Sequence, residues 1–148
     1  MVSTASPAPS CMAIEQEIQA KGLTAPRVTP NHIESLIVSE HCFTAYDGIG
    51  GEDAMATYKS ALDLTESQEA LKLLTFCVLV LRNGFTVTGE SACASPENFD
   101  PEIGRKIARE NAVNKIWMLE GYLLKQRLHD DRSDVWENED DCRRALEG

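Results

Sequence analysis

Four residues have the side chains of a nucleotide pocket: Phe85, Asn98, Arg105 and Arg109. Phe85 follows Arg82-Asn83-Gly84, so its ring stands beside a tight turn. An aromatic ring can stack on a base, a contact worth about 1–3 kcal/mol. Asn98 lies beside a helix start, and its amide can pair with a purine edge through both donor and acceptor. Arg105 and Arg109 are four apart and share a helix face, close to a helix N-terminus whose N–H groups attract anions. Guanidinium groups grip phosphate through paired hydrogen bonds. No catalytic base accompanies them, so the group predicts binding without turnover. Plainer roles are open to the same residues. Arg109 can pair with Glu110 or with acids on the Glu102 side, Arg105 can be solvated, Phe85 can be core and Asn98 a cap.

Enzyme templates fit the chain badly. There is no G-x-S-x-G, no H-E-x-x-H and no phosphate-binding P-loop. His32, His41 and His129 are scattered. His41 and Cys42 are adjacent, and neighbours on a helix point about 100° apart, a poor nucleophile–base pair. Glu97 and Glu102 are accounted for by their places in first helical turns. The five cysteines (Cys11, Cys42, Cys77, Cys93 and Cys142) are odd in number and form no C-x-x-C pair, which predicts reduced thiols, with Cys77 packed in a strand. No ligand spacing for a metal is present, and no cofactor or metal is expected.

The elements that must position the four residues follow from pattern. Thr29-Pro30 is a helix start, and Ile33, Leu36 and Ile37 predict a helix to about His41. Asp47 to Gly51 reads as a flexible loop, and residues 52–72 as helix in one or two pieces. Leu73 to Leu81 is a strand apolar on both faces. Asn83-Gly84 predicts a hairpin turn with both positions at positive φ, and Phe85 to Ser91 is an alternating return strand with one wet side. Ser95-Pro96-Glu97 and Asp100-Pro101-Glu102 each open a helix. The second predicts a long helix to about Leu128, with a buried stripe of Ile103, Ile107, Ala108, Ala112, Ile116, Leu119 and Leu123. Gly104 and Gly121 weaken that helix by about 1 kcal/mol each, so the hairpin or a second subunit should approach there. The fold class is therefore α+β: a short antiparallel hairpin or sheet packed on a long C-terminal helix and shorter N-terminal helices.

With 148 residues the chain has room for one well-cored domain. Residues 1–27 read as a disordered N-terminus with a short helix from Met12 to Lys21, 28–128 as the α+β domain, and 129–148 as an acidic tail. A net charge of −10 argues against direct nucleic-acid binding and against an anionic membrane. No apolar run reaches the ~20 residues of a membrane span, and no basic, apolar leader opens the chain. A cytoplasmic protein is expected.

Several runs carry a resemblance: Asn83-Gly84-Phe85, Gly89 to Cys93, Ser95 to Asp100, Ile103-Gly104-Arg105, and Asn111-Ala112 through Leu124, with Thr29-Pro30 and Phe43-Thr44-Ala45 upstream. The chain resembles a family of small tailed-phage proteins typified by gene products of a coliphage and a Shigella phage. That resemblance implies a phage accessory gene, expressed in the host bacterial cytoplasm, of the kind that counters host defence. The four-residue arrangement is also similar in kind to phage proteins that sequester nucleotide second messengers. The expected partner is a nucleotide-like small molecule bound by a homo-oligomer. The alternative is an acidic inhibitor or nucleic-acid mimic that binds a host protein.

Overall fold

In a computed structural model, residues 9–51, 55, 57 and 60–146 are described. The elements run α1 (Pro9–Ala20), α2 (Pro30–Leu36), β1 (Ile37–Thr44), α3 (Ala45–Ile49), α4 (Ala61–Lys72), β2 (Leu74–Leu81), β3 (Thr86–Ala92) and α5 (Pro101–Leu146). The class is α+β, with a three-stranded antiparallel sheet in the order β1-β2-β3. The expectations for residues 1–8, and for most of 52–59, lie outside the described residues.

The hairpin of β2 and β3 follows the sequence pattern. β2 is central and buried on alternate residues, and β3 has one wet side. The turn differs from expectation. Only Gly84 has positive φ (84°), and Asn83 does not. Leu81 C=O accepts from Gly84 N (2.8 Å), and Leu81 N donates to Phe85 C=O (2.8 Å). This is a longer loop in which one residue takes the left-handed conformation. Asn83 Oδ1 instead accepts from Phe85 N at 3.0 Å, which leaves the asparagine backbone unstrained.

The first strand was not foreseen. Thr29 caps α2 as expected, accepting from His32 N at 3.2 Å. The helix stops at Leu36 rather than His41, and Ile37–Thr44 pairs with β2. Two facts decide this. Ile37-Val38 and Phe43-Thr44 are β-branched or aromatic. A strand apolar on both faces also requires a neighbour along each edge. The predicted loop after it contains a helical turn, α3, held by a reciprocal cap: Thr44 Oγ1 accepts from Asp47 N (3.2 Å), and Asp47 Oδ2 accepts from Thr44 N (3.0 Å). α3 sits against the Phe43 ring, which stacks on Phe76 across the outer face of the sheet (5.9 Å).

α5 covers the inner face. Ala108, Ala112 and Ile116 are fully buried with Ile33, Cys77, Leu79, Leu81 and Val87. Ile103, Ile107, Leu119 and Leu123 of the expected stripe are instead exposed, because the buried positions of the helix step by four: Gly104, Ala108, Ala112, Ile116. A Cβ on Gly89 would collide with the Ala108 carbonyl oxygen and the Ala112 backbone nitrogen. Backbone therefore lies almost on backbone at the crossing. At Gly104 a Cβ would stand 2.9 Å from Thr75 Oγ1, the close approach expected there. At Gly121 it would meet nothing within 4 Å, so no part of the described chain fills that position. The helix also continues to Leu146, well past Leu128.

Gly89→Ala forces α5 off the sheet. We expect a loss of about 3 kcal/mol in urea unfolding, the upper range for overpacking. A neutral substitution would contradict the close crossing.

Candidate functional site

α5 carries its chemistry on opposite flanks. Arg109 points to β1 and α2. Its Nη1 and Nη2 donate to the two carboxylate oxygens of Glu34 (3.3 and 2.8 Å), and its Nε donates to Glu40 (2.7 Å). Burial opposes the charge on Arg109, and the hydrogen bonds to Glu34 and Glu40 more than offset it, holding the guanidinium above its ordinary pKa. A fork held by two carboxylates has no free edge for phosphate. His32 Nε2 lies 2.8 Å from Glu120 Oε2, a second tie between α2 and α5. On the other flank, Asn111 donates to the Glu90 carbonyl (2.9 Å) and Lys115 to the Thr88 carbonyl (2.5 Å). These bonds occupy the outward carbonyls of the edge strand β3.

The helix N-terminus is also occupied from within. Asp100 Oδ1 accepts from Glu102 N (2.8 Å) and Ile103 N (3.0 Å), and the Asp100 carbonyl accepts from Gly104 N (2.9 Å). The chain's own carboxylate thus sits where an external anion would bind. Arg105 is exposed and has no direct hydrogen-bond or ion-pair partner among the described residues. Its charge reaches Glu102 and Cys42. Asn98 is exposed at the end of a single 3-10 turn, Pro96–Asn98, just ahead of α5.

Asn98 and Arg105 therefore share one end of the sheet, where Gly104 packs on Thr75. Phe85 is 54% exposed at the other end, where its carbonyl bonds Leu81. Thr75 and Leu81 are six residues apart along β2, a span of about 20 Å at strand rise. Within one chain the structure brings Asn98, Arg105 and Arg109 to the same region, engages Arg109 in the fold, and leaves Phe85 apart.

A second cluster escaped sequence reasoning because its members were assigned to different elements. Cys42 and Cys77 are directly paired across β1 and β2, and with Glu40 their donor atoms lie within 4.8 Å of one another. Metal ligation needs thiolates. Burial pushes both the Cys42 and Cys77 thiols up, and Glu40 is held by Arg109. Without a cation the two thiols are thus held protonated, and Glu40 is already engaged. An alternation of Glu40, Cys42 and Thr44 on one strand face was the available signal.

Residues 28–128 match the model of the phage protein family of N4 Gp49 and phage Sf6 gene 66. The chain belongs to that family. No curated protein and no solved structure matches it. Among the described residues no helix of this phage protein is long and apolar enough to cross a membrane.

The Arg109 clamp predicts a stability effect. Arg109→Ala leaves the part-buried Glu34 and the exposed Glu40 without their cation and should cost about 2 kcal/mol in chemical denaturation, the scale of hydrogen bonds to charged groups. Arg109→Lys should recover only part of it, since an ammonium cannot reproduce the fork. An Arg109→Ala protein of unchanged stability would rule out a structural role.

Proposed function

We propose that this phage protein counters a host defence by holding a nucleotide-like second messenger without converting it. The observation that supports the reading is the condition of Arg105. In a chain with 24 acidic and 14 basic side chains, it remains exposed and without a direct partner among the described residues, seven positions after Asn98. Arg105 contacts phosphate, and Asn98 reads the base edge. Arg109 acts as a positioning residue that fixes the rotation of α5, and so the direction of Arg105. Phe85 stacks on a base only where a second copy brings its hairpin to this end of the sheet. The reading therefore requires an oligomer. A sponge of this kind works by mass action and needs affinity rather than turnover.

Isothermal titration against cyclic nucleotides and ADP-ribose isomers tests it. We expect one ligand to bind and to be recovered unchanged by mass spectrometry. Arg105→Ala should weaken it by about tenfold or more, the loss of a charged hydrogen bond. Absence of heat with every ligand, or recovery of a cleaved product, would sink the proposal.

A second reading has one observation in its favour. Residues 129–146 are helical and carry seven acidic against three basic residues. Such an acid-rich helix can lie on the basic surface of a host protein. A chain ending at Leu128 separates the readings. It should lose anti-defence activity in infected cells if the acidic half acts, and keep its ligand if Arg105 does.

A further inference from the structure

Three donor groups meet on the inner face of the sheet. Cys42 of β1 stands directly opposite Cys77 of β2, and Glu40 lies two residues before Cys42 on the same face of its strand. One sulfur or carboxylate atom from each lies within 4.8 Å of the other two. Thiolates bonded to a tetrahedral zinc stand about 3.8 Å apart, so side-chain movements of about 1 Å would complete a coordination shell. Two protons now occupy the space between the donors. The Cys77 thiol donates to Cys42, and Cys42 Sγ donates to Glu40 Oε1 at 3.9 Å. Arg109 Nε donates to the other carboxylate oxygen, Glu40 Oε2, at 2.7 Å. The arginine thus takes one oxygen and leaves its neighbour turned to the thiols, as an outer partner does when it orients a metal ligand.

We infer that Glu40, Cys42 and Cys77 form a site for a thiophilic divalent cation of the zinc class, with water in the fourth position. Three features support it. The first is the donor set. Two sulfurs and one carboxylate suit zinc, whereas magnesium and calcium take oxygen shells. The second is charge. Binding breaks two S–H bonds, forms two metal–sulfur bonds and sends two protons to solvent, with no electron transferred. A +2 ion thus replaces two protons, and the total charge of the cluster is unchanged. The charged groups around the thiols are Glu40 on β1, Arg105 and Arg109 on α5, and Glu34 on α2 through Arg109. The two arginines favour the Cys42 thiolate, while burial holds both thiols protonated in the absence of an ion. Affinity therefore rises with pH. The third is access. β1 is an edge strand, with Glu40 exposed and Cys42 half-buried, while Cys77 has no exposed surface. An ion can meet Glu40 and Cys42 at the rim before it reaches the sulfur behind them. The site needs no nucleotide, so it stands or falls separately from sequestration.

Cobalt(II) titration of the full chain tests it, in a Cys11→Ser, Cys93→Ser, Cys142→Ser background kept reduced by a phosphine. We expect one cobalt per chain, with a thiolate-to-cobalt charge-transfer band and the strong visible bands of a tetrahedral ion. Zinc should displace the cobalt. In weakly buffered solution, zinc added to the ion-free chain should release two protons per ion. Cys42→Ser should weaken binding by about a hundredfold or more, since loss of an outer partner alone costs about 10–100-fold. Its circular dichroism should match that of the parent, because the position is only half-buried. Zinc should raise the urea midpoint of the parent and leave that of Cys42→Ser where it was. Absence of the charge-transfer band, binding indifferent to Cys42→Ser, or release of fewer than two protons would each overturn the inference.

Discussion

The contact on which this structure depends is the crossing of α5 over β3 at Gly89. There a strand backbone and a helix backbone meet with no side chain between them, across Ala108 and Ala112. Small residues on both sides let the helix sink until it is rotationally fixed. Once it is seated, each flank has one assignment. Arg109 bonds Glu34 and Glu40, and Asn111 and Lys115 bond the β3 carbonyls. The remaining apolar residues of the helix have no part of the sheet left to cover them.

That seating changes what the ionic groups are for. Arginines on one helix face are read from spacing as a phosphate grip. Here one of them is the pivot of a carboxylate–guanidinium–carboxylate triad joining α2, β1 and α5. A partly buried triad of this kind holds register and orientation more than it adds net stability. Arg105, one turn nearer the helix start, stays exposed with no direct partner among the described residues. Asp100 makes the same point at the start of the helix, where the local carboxylate takes the backbone donors first.

The chain belongs to a phage family and carries an exposed arginine, Arg105, with no direct partner among the described residues. Its charge is segregated along one long helix, basic toward the sheet and acidic beyond it. Segregated charge on a rigid rod orients partners before it binds them.

The residues by themselves determined the local events. They showed the hairpin of β2 and β3, the starts at Thr29 and Asp100, and the small buried residues Ala108 and Ala112, whereas Ser95 caps nothing and leads only a 3-10 turn. Each rests on chemistry within a few positions along the chain: a cap, a proline, a glycine turn or an alternation. Three matters were left to the tertiary structure. Ile37–Thr44 carries β-branched and aromatic residues at both ends, and the unfilled edge of β2 gave them a strand to pair with. The partners of Arg109 stand 75 and 69 residues away, so no local spacing could name them. The helix presents apolar residues on more than one side, and only the sheet's finite width selected which of them to bury. Long-range pairing and the area of the opposing surface are properties of the packed chain, and a periodicity read along one element carries neither.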